Sequence, residues 1–354
     1  MTPVQQILLG AGGVVGTGDW GGLSTGDTYQ NGKVYKPNST TFQVWYYPQS
    51  RKGSAVTYSM SNLSSSFQVR QQSNMKIYLV GGGGGGTGEN ASGGSGGGAI
   101  TVNTFIPANL ETFNFQVGKG GRGGWSQQAS QFTGMPSGNP AAGEPGDTTS
   151  LTGTGLSLSA GGGPVDVTIN ATSYSSGTQA TISVGNGRGL SITSGSGGRG
   201  GSRNLVGEAG ANGNAGGGGA NDFGNAASDD GGGNGSGDFG GGGGGGNGYS
   251  GTWYMGMRPG GTGGTYAFPG GYGGATLSND FGQDGTCPID NTTDYPNFHA
   301  GGGRAYKQVD WSGLNRGSSG GGGFPGGGGG SSYYNSNGIG SDGASGIIVF
   351  HWTL

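Results

Sequence analysis

The chain of 354 residues has one cysteine, Cys287, two histidines, His299 and His351, and only 9% charged residues. A single cysteine excludes an internal disulfide framework, and no His–Cys arrangement marks Cys287 as a reactive thiol. Two histidines far apart in sequence leave almost no material for a histidine-based triad or a zinc site. The formal net charge of -3 is small and dispersed, which argues against a phosphate-seeking, nucleic-acid-binding surface. Arg188, Arg199 and Arg203 sit in arginine–glycine settings but lack interleaved aromatics, so they read as solvated loop charges. No apolar run approaches the roughly 20 residues of a membrane span. The amino terminus, Met1 to Leu9, has three consecutive apolar residues and no basic region, unlike a secretory signal. Only 13 prolines and no strict Gly-X-Y period exclude collagen. No stretch repeats its apolar residues every 3.6 positions, so essentially no α-helix is expected.

Glycine is what the chain has instead, 96 of them. The apolar run Ile77-Tyr78-Leu79-Val80 stops at six consecutive glycines, 81–86. Similar tracts occupy 96–98, 161–163, 216–219, 240–246, 301–303, 320–323 and 326–330. Fixing one backbone residue costs on the order of 1–2 kcal/mol, so the 240–246 tract costs roughly 7–14 kcal/mol to order with no side chain to bury. A hydrogen bond returns only about 0.5–1.5 kcal/mol net, helix is disfavoured by about 1 kcal/mol per glycine, and strand interiors are weakened too. Two outcomes remain. Either the tracts are disordered, or they form extended three-fold helices, rising about 3.1 Å per residue, that pack side by side and pair their backbones laterally. The aromatic content (15 Tyr, 13 Phe, 6 Trp) favours order. At 29% hydrophobic residues a large conventional core is not expected, and the aromatics are expected to act as separators or sheet faces.

Along the chain, residues 1–36 read as a loop-rich arm with a short apolar start. Ile7-Leu8-Leu9-Gly10-Ala11-Gly12 resembles a dinucleotide fingerprint, but that motif needs a following helix and Thr17-Gly18-Asp19-Trp20-Gly21-Gly22 follows instead. A docking segment fits better, with Ile7, Leu8, Leu9, Val14 and Val15 as its contact residues. Residues 37–80 are nearly free of glycine tracts and alternate with period two, giving four short strands at 41–47, 55–60, 66–70 and 76–80. Further strands are expected at 99–102, 112–117, 156–160, 165–171, 180–184 and 346–352. The first and last apolar strands bracket the glycine region and can pair in one sheet. Residues 81–354 form the glycine-rich unit.

Motifs for chemistry are sparse. Gly93-Gly94-Ser95-Gly96-Gly97 satisfies the nucleophile-elbow pattern only trivially, and no Walker motif occurs. The run from Asp229 to Asp238 is similar to calcium-binding β-roll repeats, but its aspartate is one place out of register and the unit is not tandem, so it reads as a solvated turn. What stands out is a set of aromatic spacers between tracts: Trp253, Tyr254, Met255, Tyr266, Phe268, Tyr272, Tyr333 and Tyr334. Such residues on rigid loops dominate recognition surfaces. The bland alternative is that they plug the glycine tracts or their contact with the sheet.

The order of the pieces resembles a glycine-rich domain found in virion proteins of tailed phages, including tail-fibre-tip adhesins, and in the extracellular part of one receptor tyrosine kinase family. The pieces are Lys76-Ile77-Tyr78-Leu79-Val80 with its glycines, Gly98-Ala99-Ile100-Thr101-Val102, and Thr112-Phe113-Asn114-Phe115-Gln116-Val117-Gly118. Gly146-Asp147-Thr148-Thr149, Ser159-Ala160-Gly161 and Gly343-Ala344-Ser345-Gly346-Ile347-Ile348-Val349-Phe350 complete them. The start Pro3-Val4-Gln5-Gln6-Ile7-Leu8-Leu9 is also similar to structural proteins of marine phages. Extra strands at 164–194 replace one expected glycine tract. The resemblance implies an all-β fold whose short antiparallel strands form a sheet flanking packed polyglycine-II helices. It further implies a non-enzymatic virion component, a fibre or fibre tip, without cofactor or metal. Its partners would be virion proteins through the arm, a host surface receptor (a glycan or outer-membrane protein) through the aromatic loops, and other copies of itself, with no nucleic acid and no membrane insertion. Two alternatives stay open: a capsid- or tail-decorating protein, and an ice-binding or other extracellular structural protein.

Overall fold

The computed structural model describes residues 22–48, 50–51, 61–70, 73–87, 93–124, 143–165, 179–201, 209–211, 214–219, 232–244, 260–267, 298–299, 320–331 and 340–353. Among them there is no helix. The strands are β1 (Thr28–Tyr29), β2 (Gly32–Asn38), β3 (Thr41–Tyr46), β4 (Ser50–Arg51), β5 (Leu63–Gln68), β6 (Met75–Val80) and β7 (Ala99–Phe105). They continue as β8 (Thr112–Val117), β9 (Thr149–Gly153), β10 (Leu156–Ala160), β11 (Ile182–Asn186), β12 (Ile192–Gly195), β13 (Phe298–His299) and β14 (Ile347–Thr353). A seven-stranded sheet has the order β1-β2-β3-β14-β6-β7-β12, a five-stranded sheet β11-β10-β9-β8-β5, and β4 pairs with β13. All pairings are antiparallel.

The two larger sheets face each other, and the period-two pattern explains how. Phe113, Phe115 and Val117 on β8, and Leu156, Leu158 and Ala160 on β10, are buried while their neighbours are more exposed. They meet Phe42, Val44, Ile77, Leu79, Ile348 and Phe350 from the seven-stranded sheet. At the centre Phe67 stacks on Phe350, ring centroids 4.3 Å apart and planes 21° from parallel. β3 and most of β14 are buried on both faces; in β14 this matches a continuous apolar run, Ile347 to Phe350, whereas β3 keeps the period-two pattern and buries Gln43 on its second face. Their second face (Trp45, Val349, Ile347) packs against residues of the glycine-rich region. The core is therefore more conventional than 29% hydrophobic residues suggested, because the apolar residues are concentrated in these strands.

The last strand pairs with both β3 and β6, joining Ile347 to Val80 and Ile348 to Tyr46. The first and last apolar runs do meet. Differences lie nearer the amino terminus. β5 runs over Leu63–Gln68, earlier than the 66–70 expected, and β1 and β2 bring residues 28–36 of the expected arm, with 37 and 38 beyond it, into the seven-stranded sheet. The cause is visible in β2: Val34, between Lys33 and Tyr35, is fully buried in the sandwich core. Arm residues 1–21 and the strands expected at 55–60 and 165–171 lie outside the described residues, while the strand expected at 180–184 is β11.

Register places the glycine stretches. Val80 pairs with Ala99 and Ile347, Ala99 with Gly195, and Ala160 with Thr149. Strands β6, β8, β10 and β12 thus leave the sandwich into glycine at the same end at which β7, β9 and β14 return. Thr149 joins the two sheets there: its hydroxyl donates to Val80 O at 2.7 Å and accepts from Gly118 N at 3.0 Å.

Beyond that end the stretches bond to one another with a repeat of three. Gly81 and Gly84 donate to Gly98 and Ser95, Gly82 and Gly85 to Asp147 and Glu144, and Gly83 and Gly86 to Ala344 and Ser341. Successive residues point at three different neighbours, and residues three apart return to the same one. The carbonyls of 82, 83 and 84 accept from Gly163, Gly121 and Gly329, so residues 81–86 are bonded to six other stretches. Residues 93–98 repeat the pattern with Gly201/Gly198, Gly329/Gly326 and Pro164/Gly161 as acceptors.

At many of the glycines this spacing leaves no room for a side chain. A Cβ at Gly243 would fall inside the Gly218 carbonyl, and one at Gly83 inside that of Gly327. At Gly22 nothing lies within 4 Å of such an atom. Overpacking an interior costs typically about 1–3 kcal/mol. Gly243→Val is expected to lower the thermal midpoint by several degrees and Gly22→Ala to leave it within about one degree, as read by differential scanning calorimetry. Equal midpoints for the two variants would mean that the close backbone approach is not stabilising.

Candidate functional site at the seam between sheet and glycine stretches

The outer face of the seven-stranded sheet carries Trp45, Tyr47, Tyr78, Val80, Ala99, Ile347 and Val349, all buried. Two aromatic rings from the glycine-rich region cover it. Phe239 lies 4.7 Å from Tyr78 and edge-on to Trp45 at 5.7 Å. Phe324 lies edge-on to Tyr47 at 5.2 Å and 6.3 Å from Trp45. Both stand alone between glycines, in Gly237-Asp238-Phe239-Gly240 and Gly323-Phe324-Pro325-Gly326. Each is fully buried, and so is the contact that seats the glycine stretches on the sheet.

The turn bearing Phe239 is set by Gly237, whose φ of +63° suits glycine, and by Asn214. Asn214 Oδ1 accepts from Phe239 N at 3.0 Å, while its Nδ2 donates to Thr101 Oγ1 on β7 at 2.7 Å. Asn214 itself has φ +76°, a conformation Asn tolerates better than most residues. The turn is thus tied to the sheet through one amide.

Tyr266 is the one predicted loop aromatic among the described residues. It is partly buried, 5.3 Å from Phe239 and edge-on to Tyr35 at 6.2 Å. Its backbone N donates to Asp238 O at 2.7 Å. Burial and the nearby Asp238 carboxylate raise the pKa of its phenol, and the same two causes raise that of Tyr78. Tyr266 therefore stands at the rim of the plug. Trp253, Tyr254, Met255, Phe268, Tyr272, Tyr333 and Tyr334 lie outside the described residues, as do Ile7, Leu8, Leu9, Val14 and Val15. The signal that would have found Phe239 and Phe324 is a single aromatic in a short spacer between glycine tracts, with glycine directly on one side and Asp238 or Pro325 on the other.

A polar relay crosses the same face. Trp45 Nε1 donates to Gln43 Oε1 at 2.7 Å, which leaves the Gln43 Nε2 group facing His351 Nδ1 at 3.1 Å. Nδ1 must then accept, so the imidazole carries its proton on Nε2. Burial of His351, and secondarily the charge of Lys76, lower its pKa to about 4, against a smaller opposing pull from Asp238. A protonated ring would also turn an N–H toward the amide N–H. The arginine reading changes as well: Arg188 is not a free loop charge but pairs with Glu111 at 2.6 Å and lies over the Phe105 ring at 5.3 Å.

An open cleft of about 320 Å³ lies beside the seam, with Lys33, Trp45, Tyr47, Pro48, Asn62 and Leu63 among its walls. Its walls offer aromatic edges, the amides of Asn31 and Asn62, the Ser61 hydroxyl and the Lys33 ammonium. Ser95 of the elbow-like motif is buried, accepts from Gly200 N, and leads into strand β7 rather than a helix. No group of three His, Cys, Asp or Glu side chains is placed to hold a metal ion among the described residues. No protein-family model matches the chain, and no curated protein matches it in sequence.

The relay predicts a pH dependence. With a pKa lowered from 6.5 to about 4, folded His351 binds a proton less readily than the unfolded chain does. Its contribution to stability is complete above about pH 6.5 and is lost as the pH falls toward 4. Thermal midpoints between pH 7 and pH 4 should fall more steeply for the wild type than for His351→Gln. Parallel curves would show that His351 titrates alike in both states.

Proposed function

We propose that the chain is a structural protein of a tailed-phage virion, a fibre or fibre-tip component, whose glycine tracts pack as a bundle of polyglycine-II helices and display loops for attachment to the host surface. The observation that carries this reading is the three-residue repeat of lateral hydrogen bonds, with residues 81–86 bonded to six neighbouring stretches. A three-fold helix with no internal hydrogen bonds directs successive peptide groups to different neighbours in that way. The resemblance in the order of strands and tracts supplies the biological setting.

Such a bundle is a stiff mount. The stretch ends remote from the sandwich are bonded to each other: Gly124 donates to Gly86, Gly340 to Gly124, Gly219 to Gly94, and Gly201 to Gly219. The chain between 124 and 143, and between 331 and 340, leaves and re-enters the described structure at that end. The second of these segments holds Tyr333 and Tyr334, and Trp253, Tyr254 and Met255 lie in the segment between 244 and 260. Aromatic side chains held on a rigid base lose little freedom on binding, which favours affinity for a glycan or a protein receptor. At the other extreme of the chain, Ile7, Leu8, Leu9, Val14 and Val15 supply the apolar contact that docks the protein in the particle.

Purified protein pre-mixed with candidate host bacteria is expected to bind the cells and to reduce phage adsorption. Replacing Tyr333 and Tyr334 together by alanine should weaken cell binding at least tenfold with an unchanged thermal midpoint. Absence of both binding and competition across the host panel would overturn the attachment role.

A further inference from the structure

The two flanks of the sandwich are finished differently. On one flank the sheets end in β5 and in β1 with β2. There the Gln30 side chain closes the β5 edge as a strand residue would: Nε2 donates to Gln68 O and Oε1 accepts from Gln68 N, both at 2.9 Å. Beyond its pairing with β1, β2 carries Lys36 and Pro37 and a break in register between Tyr35 and Asn38. Charge, proline, bulges and side-chain caps are the devices by which proteins prevent edge-to-edge pairing.

On the opposite flank, among the described residues, the sheets end in β11 and β12, and none of these devices is present. β11 reads Ile-Ser-Val-Gly-Asn and β12 Ile-Thr-Ser-Gly, without charge or proline. Ser183, Val184 and Gly185 are exposed, Val184 by 42%. Val184 pairs directly with Leu158, so it points to the same face as that buried core residue, past the cover of the facing sheet. The edge is also held in place. Asn186 brackets the following turn by bonding both N and O of Leu190, and the Arg188–Glu111 pair ties that turn to the β7–β8 connection.

From this asymmetry we infer that β11 is a self-association edge, at which it pairs antiparallel with β11 of a second copy about a two-fold axis at Val184. The strand has five residues, so an axis at its centre sets Val184 against Val184, Ser183 against Gly185 and Ile182 against Asn186. An uncharged strand meets its own copy without like-charge repulsion, and a two-fold contact uses the same patch on both partners. Pairing fills the unused backbone groups and covers two exposed valines together. One strand pair is small beside the roughly 1,200–2,000 Å² of a stable complex, so the association depends on concentration. The inference does not rest on the phage reading.

The register gives the test. In a Cys287→Ser background, Val184→Cys and Ser183→Cys are oxidised mildly at high protein concentration and run without reductant. Opposed positions bring Cβ atoms to about 4.5–5.5 Å, whereas two copies of residue 183 are offset by two places and exceed the span of a disulfide. A disulfide-linked dimer is expected for Val184→Cys and at least tenfold less of it for Ser183→Cys. Sedimentation should show a concentration-dependent dimer for the wild type and a monomer for Val184→Lys, whose thermal midpoint is unchanged. Equal cross-linking of the two cysteine variants, a wild type monomeric at every concentration, or a dimer that survives Val184→Lys would each overturn the proposal.

Discussion

Backbone groups that have no side chains to shield them must find partners, and in this protein those partners are other backbones. Each peptide N–H in residues 81–86 meets the carbonyl of a different stretch, with the same neighbour recurring after three residues. No single stretch can satisfy itself, because an extended chain of this kind has no internal hydrogen bonds. Order in one stretch therefore presupposes order in several others. Close approach depends on glycine, since a Cβ at Gly82, Gly84 or Gly216 would overlap a neighbouring peptide.

The sandwich makes that collective arrangement attainable. Its strands deliver glycine stretches from one end in fixed register, with Val80, Ala99, Ile347 and Gly195 aligned across the sheet. Holding the chain ends at set positions removes much of the loop-closure entropy that separate stretches would lose on meeting. The Thr149 hydroxyl adds a polar tie at the joint. Phe239 and Phe324 then supply the apolar contact that glycine cannot, pressing their rings onto Trp45, Tyr47 and Tyr78. Sandwich, aromatic plugs and paired backbones are thus continuous, and the stretch ends remote from the sandwich are bonded to one another.

The same economy of charge shapes the surface chemistry. With few ionisable groups, the protein keeps a neutral imidazole in a relay with Gln43 and Trp45 and one well-sheltered ion pair, Arg188 with Glu111. Both fix the position of strands or turns: the relay ties β3 to β14, and the ion pair ties the β11–β12 turn to the β7–β8 connection. That second tie holds the unguarded edge in a defined shape, and a defined edge is a precondition for specific rather than indiscriminate pairing.

Period-two alternation by itself determined β8 and β10, where Phe113, Phe115, Leu156 and Leu158 face one way. The continuous apolar run at 347–350 likewise identified a strand, and the structure shows it buried on both faces. Absence of a 3.6-residue period pointed to a chain with essentially no helix, and none occurs among the described residues; the glycine tracts narrowed the outcome to disorder or lateral pairing, because no local structure could satisfy them. Short-range pattern suffices for such elements, since burial of one face selects one register. Tertiary structure alone decided that residues 28–38 join the sheet, because only contact with Val44 and Tyr46 gives Val34 and Gly32 their place. It also decided which aromatics are plugs: Phe239 and Phe324 look like any loop residue until the sheet beneath them is known. Arg188 read as a solvated charge because Glu111 lies 77 positions away. Local sequence records what a residue prefers, and a partner brought from a distant strand decides which preference is realised.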